Sequence, residues 1–294
     1  MTTLTVAGRA RGVFGAIAEW FASPRVRIVL AVIAWGYLAL RWYLLLTSDD
    51  PILAADARTY WGAPYDDPYT GPQLGLPGAY LYPPPFLQAL APLRLLPWEA
   101  FHAIWAALGF GALIYLVRPI GAALVVTLLP FVFRDLLVGN IHLMLAAALV
   151  LSFRWPAIWA FPILTKLTPG IGVLWYAVRR EWRRLAIALA TAGGIALLSF
   201  GLTPDLWMQW ATRMREDSGT AGSAYLSIFV VRLVVAGALV AYAARSGRMS
   251  LVPIAVLVAL PILWPDSLAL LLASFPLLIA ERRERLRSAS LTRA

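Results

Sequence analysis

The chain has 294 residues, of which 61% are hydrophobic and only 14% charged, with a formal net charge of +10. No soluble domain of this length carries so much apolar surface, and the lack of any cysteine rules out disulfides, thiolate nucleophiles and thiolate metal sites. Two histidines, His102 and His142, are too few for a histidine-built metal centre. The 24 arginines fall in short clusters beside apolar spans, a pattern of membrane topology and anionic-lipid contact that sets nucleic acid aside.

In chain order, MTTLTVAGRARGVFGAIAEW has no small-residue cleavage site after a compact apolar core, and residues 1–25 are read as a cytoplasmic segment. A spanning helix needs roughly 20 apolar residues. About ten stretches qualify, with a range of 8–11: 26–46, 83–97, 98–117, 119–133, 139–153, 155–176, 182–202, 223–244, 249–264 and 266–280. Those between 83 and 153 are short and interrupted by Pro92, Pro97, Pro119 and Pro130, the pattern of half-helices or tilted hairpins. The predicted fold is all-α, a polytopic transmembrane helical bundle over 26–280. Two polar loops, 47–82 and 203–222, carry short helices, and a basic tail covers 281–294.

With ten spans, the N-terminus, the RREWRR turn, the RSGR turn and the ERRERLR tail fall on one side. Together with Arg94 and Arg134 that side holds 17 arginines, against five on the other, namely Arg58, Arg118, Arg154, Arg213 and Arg215. The positive-inside rule then makes both ends cytoplasmic and turns the two polar loops outward.

The first outer loop holds Asp49, Asp50, Asp56, Asp66 and Asp67. Asp56 opens a helix-compatible DARTYW with Tyr60 one turn away on the same face, so it is either a catalytic carboxylate or a helix cap. Asp66 and Asp67 sit in a turn-forming DDPY. Three prolines, Pro83 to Pro85, fix an extended stub that holds Tyr80 and Tyr82 at the membrane boundary, as site residues or as an interfacial aromatic belt. Lys166, the chain's single lysine, lies midway along a span and three residues before Pro169. It and Arg232 are functional candidates as charges inside spans; the alternative is a structural ion pair with Asp135 or Asp266. Arg41 is placed to snorkel. The stretch RDLLVGNIHLML gathers Arg134, Asp135, Asn140 and His142, where a lone histidine is more often an interhelical hydrogen-bonding group than a ligand. No phosphate-binding glycine loop, HExxH or GxSxG occurs, which removes ATP-driven transport in this chain, zinc proteolysis and the common serine hydrolases.

The order DARTYW, DDPY, YLYPPPFLQALAPLRLLP, GNIHLMLAAALVL and ILTKLTPGIGVLWYAVRREWRR resembles the polyprenyl-phosphate-mannose-dependent mannosyltransferases of glycosyltransferase family 87, in the GT-C class. The resemblance runs from about residue 50 to residue 205 and more weakly to 280. It implies a GT-C-type bundle and transfer of a sugar, mannose, from a polyprenyl-phosphate donor to a lipid or glycan acceptor on the outer face. It matches the class's essential aspartate to Asp56 and the Lys-x-x-Pro element to Lys166 and Pro169. The arginine that ends SIFVVRL is Arg232. Near the C-terminus Trp264 is kept, while Asp266 stands where the family often has histidine.

Chemically, an inverting transfer needs one base and one group of cations on the leaving phosphate. Asp56 is the expected base, with Lys166 and Arg232 on the donor phosphate. Tyr60, Tyr80, Tyr82, Asn140, His142, Trp207 and Asp266 are the expected sugar and acceptor contacts, with no metal and no cofactor. A retaining scheme would need a second, closely placed carboxylate. Competing readings are a lipid-linked substrate transporter or flippase, and a non-catalytic, degenerate transferase subunit.

Overall fold

The computed structural model describes residues 53–72, 78–119 and 132–291 apart from 221, together with isolated positions among 23–40 and positions 76 and 129. Arg41, Asp49, Asp50 and most of the first predicted span lie outside the described residues. No strand occurs among the described residues. That is what apolar segments require when lipid supplies no partners for backbone groups.

The helices are α1 (Ala55–Gly62), α2 (Pro84–Arg94), α3 (Trp98–Val117), α4 (Val132–Val138), α5 (His142–Ser152) and α6 (Ala160–Lys166). They continue with α7 (Leu174–Val178), α8 (Trp182–Leu202), α9 (Pro204–Thr220), α10 (Gly222–Ser246), α11 (Val252–Ala259) and α12 (Ser274–Leu291). Short 3-10 segments cover Pro156–Trp159, Thr168–Val173, Met249–Leu251 and Pro265–Ala273.

Among the described residues, α3, α8 and the Ile228–Ser246 part of α10 are long and apolar enough to cross a membrane; α4 and α5, bent by 117°, form a fourth candidate if counted as one span. Leu197 and Leu198 of α8 are 74% and 66% exposed, an apolar surface suited to lipid. The predicted spans 83–97, 155–176, 249–264 and 266–280 are shorter or broken helices, and 26–46 and 119–133 lie largely outside the described residues. About ten separate crossings is therefore a larger number than these elements supply.

The short helices pair into two hairpins. The first runs from Pro156 to Val178 and reverses after Lys166, where Leu167 takes φ 52° and Pro169 opens the next 3-10 turn. Its two limbs touch where Gly172 lies on the indole of the fully buried Trp159; a Cβ there would overlap the ring. At its base Tyr176 donates to the Ser152 carbonyl (2.6 Å), and at its tip Lys166 meets His142. His142 and Ser152 are the two ends of α5, so the tip stands roughly 15 Å from the base by helical rise. The predicted span 155–176 thus turns back instead of crossing. The second hairpin runs from α11 to α12: its base is held by the Ser250 amide on Glu281 Oε1 (2.5 Å), and its tip carries Asp266.

These contacts also reassign four arginines. Arg94 Nε donates to the Trp61 carbonyl (3.0 Å) and Arg134 Nε lies 3.4 Å from Asp266 Oδ1, so both sit at the end of the bundle that holds Asp56. Arg118 follows the far end of α3, and Arg154 follows Ser152 at the base of the first hairpin. The predicted distribution had these pairs exchanged. The physical reason is length: α2, with 11 residues, is too short to carry Arg94 across roughly 30 Å of hydrocarbon.

Candidate active site

The short helix α1 docks on the break between α4 and α5. Its N-terminus has no side-chain cap; Ala54, in a left-handed conformation, donates its amide to the Leu137 carbonyl (2.7 Å). Gly139 makes the docking possible, because it adopts φ +73° and a Cβ there would stand 2.6 Å from Ala57 Cβ. Trp105 of α3 donates to the Gly139 carbonyl (2.7 Å) and fixes the break from below.

That docking brings Asp56, in the first turn of α1, against Asn140. Asn140 Nδ2 donates to Asp56 Oδ2 (2.6 Å) and lies 3.2 Å from Asp266 Oδ2, while its own Oδ1 accepts the Ile141 amide (2.7 Å). Asp56 is thus no N-cap; it faces the bundle. Burial pushes its carboxyl up to about 6 from an ordinary 3.8, with Lys166 opposing and Asp266 adding to the rise. That range suits a general base working near neutral pH.

His142 is fully buried at the start of α5. Its Nδ1 lies 3.0 Å from Asp135 Oδ1 and 3.3 Å from Asp266 Oδ2, and Asp135 Oδ2 accepts the Leu143 amide (3.0 Å). On the other edge of the ring, Nε2 is 3.0 Å from Lys166 Nζ and 3.4 Å from Ser267 Oγ. The lysine also stands 5.7 Å from the centre of the Tyr82 ring. Three carboxylates, one ammonium and one guanidinium therefore converge where α1, the α4–α5 break and the tips of both hairpins meet.

The tyrosines form one wall. Tyr60 and Tyr82 share a 2.6 Å hydroxyl hydrogen bond and pack edge to face at 5.1 Å. Tyr82 packs against Tyr80 at 5.6 Å, and Tyr69 donates to the Tyr82 carbonyl (2.9 Å). The Tyr80 hydroxyl is buried with no hydrogen-bond partner among the described residues.

Asp135, His142 and Asp266 offer three ligand atoms within 4.8 Å of one another, a spacing a divalent ion could use. The protons work against it. An ammonium only donates, so a histidine nitrogen facing Lys166 accepts, and the proton of a neutral ring then sits on Nδ1, where a metal would need a lone pair.

Two of the predicted site residues are elsewhere. Arg232 gives its guanidinium to backbone carbonyls at the end of α11: Val258 (3.0 Å), Leu260 (2.5 Å) and Pro261 (3.3 Å). It satisfies carbonyls that the helix end leaves open and does not join the cluster. Trp207 donates to Ser199 Oγ (3.0 Å), tying α9 to α8. His142 is in the cluster, but with no exposed surface it has none to offer a sugar. Sequence reasoning assigned Asp135 and Arg134 no more than ion-pair or topological parts; their crowding within RDLLVGNIHLML was the signal.

A family model for glycosyltransferase family 87 matches residues 80–293. The chain belongs to that family. No curated protein and no solved structure gives a significant match. The matched region takes in Tyr80, Tyr82, Asn140, His142, Lys166 and Asp266, while Asp56 and Tyr60 precede it. The protein is accordingly a glycosyltransferase with membrane-type helices.

Proposed function

We propose that the protein transfers a sugar, mannose in the first instance, from a polyprenyl-phosphate donor to a lipid or glycan acceptor on the outer face of a cell membrane, with inversion. The observation that carries this reading is the approach of the Asp56 carboxylate and the Lys166 ammonium through three intervening side chains, Asn140, Asp266 and His142. Asp56 takes the proton of the acceptor hydroxyl as that oxygen bonds to the anomeric carbon. The bond from the anomeric carbon to phosphate breaks, its electron pair leaves with the polyprenyl phosphate, and Lys166 stabilises the charge that develops there. Tyr82, the most exposed of the three site tyrosines, borders the sugar, with Tyr60 and Tyr80 packed behind it. Arg232, held at the end of α11, has no part in this scheme.

Sidedness rests on charge. The end of the bundle away from Asp56 carries Arg118, Arg154, Arg179, Arg180, Arg183, Arg184, Arg245 and Arg248, with Arg282, Arg283 and Arg285 following Glu281 of α12, against Arg58, Arg94, Arg134, Arg213 and Arg215 at the Asp56 end, Lys166 and Arg232 aside. The positive-inside rule then turns Asp56 outward, where no nucleotide-sugar pool exists and a lipid-linked donor is required. A transporter would distribute polar groups through the membrane depth. Here they collect at one end.

The test is incubation of the purified protein with labelled polyprenyl-phosphate mannose and extracted membrane lipids. A labelled glycolipid with inverted anomeric configuration is expected. Turnover with a nucleotide sugar instead, or retention of configuration, would overturn the reading.

A further inference from the structure

Lys166 touches a histidine, although three carboxylates lie within the same cluster. A lysine paired directly with a carboxylate spends its charge on that partner. A neutral imidazole acceptor orients the ammonium through one N–H and leaves the positive charge and the other two donors uncommitted. His142 is built to be such an acceptor. Asp135 is locked by the Leu143 amide on one oxygen and holds Nδ1 with the other, which sets the proton on Nδ1 and frees the Nε2 lone pair for Lys166. Metal-ligating histidines are fixed in the same manner by a carboxylate on the opposite nitrogen; here the imidazole fixes an ammonium.

From this geometry we infer that His142, as the Nδ1–H tautomer set by Asp135, is a positioning residue that aims Lys166 at an anionic ligand while leaving its charge whole. The inference rests on the proposed phosphate role of Lys166 and adds how that lysine is kept available. Asp266, 3.3 Å from Nδ1 and itself within ion-pair distance of Arg134, and Ser267, 3.4 Å from Nε2, are the other polar groups on the ring. Asp56 reaches it only through Asn140 and Asp266.

The experiment uses the full chain in detergent with polyprenyl phosphate, the sugar-free lipid, as probe. His142→Gln places an amide oxygen near the Nε2 position, and His142→Asn places an amide nitrogen near the Nδ1 position. The asparagine variant should bind about tenfold more weakly or worse, the size of a lost hydrogen bond to a charged group, while the glutamine variant stays within about threefold of wild type. Nitrogen NMR of the histidine-labelled wild type should show the His142 proton on Nδ1 at neutral pH. Equal affinity in both variants, equal loss in both, or a proton on Nε2 each overturns the inference. Wild-type protein that binds polyprenyl phosphate in this pattern yet turns over no lipid-linked sugar would sink the proposed reaction and leave the positioning role standing.

Discussion

Replacing Asp56 by asparagine separates chemistry from folding. Asparagine keeps the shape and can still accept from Asn140 Nδ2, but it cannot take a proton from an acceptor hydroxyl. Loss of a general base costs about 100- to 10,000-fold in turnover. The same change relieves a folded-state penalty. A carboxyl held at about 6 against an ordinary 3.8 is disfavoured as the ion by about 3 kcal/mol, an order-of-magnitude figure. Because the folded value lies above the unfolded one, the stabilising contribution of protonated Asp56 is complete below the unfolded value and is lost as pH rises through about 6. Asp56→Asn should therefore unfold at the same or a higher temperature than wild type at pH 7.5 and lack that part of the slope. In wild type kcat/KM should climb through about pH 6 as the base ionises and then level. The assays are transfer from labelled polyprenyl-phosphate mannose between pH 5 and 8 and thermal unfolding in detergent at both extremes. Turnover in the variant within tenfold of wild type would refute Asp56 as the base, and a variant markedly less stable than wild type would show the carboxylate to be structural.

Lys166→Met should weaken polyprenyl-phosphate binding by tenfold or more, and Lys166→Arg should recover only part of it, because a planar fork does not fit a site shaped around one Nε2 acceptor; unchanged affinity in the methionine variant would return the lysine to a structural role. Arg232→Gln should leave the KM for donor unchanged while lowering the unfolding temperature, since it strips three carbonyls at the end of α11 of a cationic donor; a raised KM at unchanged stability would contradict that placement. Gly139→Ala should cost several kcal/mol, on the order of 2–4, because φ +73° and a Cβ 2.6 Å from Ala57 both oppose it. It should also lower activity by moving α1, and a variant with wild-type stability would show that the docking is loose.

Much of the site could be read in the linear chain because its residues are chemically rare in their surroundings. A single lysine in an apolar run, a carboxylate before TYW, and NIH after a glycine each stand out against helices made of leucine and alanine. Arg232 stands out by the same criterion, yet its guanidinium lies on the carbonyls at the end of α11. An arginine can satisfy several carbonyls at a helix end within the membrane, and nothing in SIFVVRL distinguishes that use from phosphate binding. Trp207 likewise tells of its position near a boundary and nothing of its partner, Ser199. The described helices supply fewer crossings than the count of apolar stretches, for a related reason. Hydropathy measures whether a segment tolerates apolar surroundings, and a hairpin half buried in the bundle meets that condition as well as a helix that crosses.

Composition by itself determined that the chain is helical, that it belongs with membrane proteins, and that its chemistry must use oxygen and nitrogen groups, since these follow from residue types regardless of arrangement. Local pattern determined Asp56, Lys166 and the tyrosines as candidates, because neighbours within a turn are set by helical geometry. The tertiary structure alone decided that residues 84 and 126 positions apart, Asp56 with Asn140 and Asn140 with Asp266, share hydrogen bonds, and that His142 stands between Asp135 and Lys166. Those pairings depend on where a left-handed glycine ends one helix and where a chain reverses after Lys166, and such reversals are set by packing against distant segments.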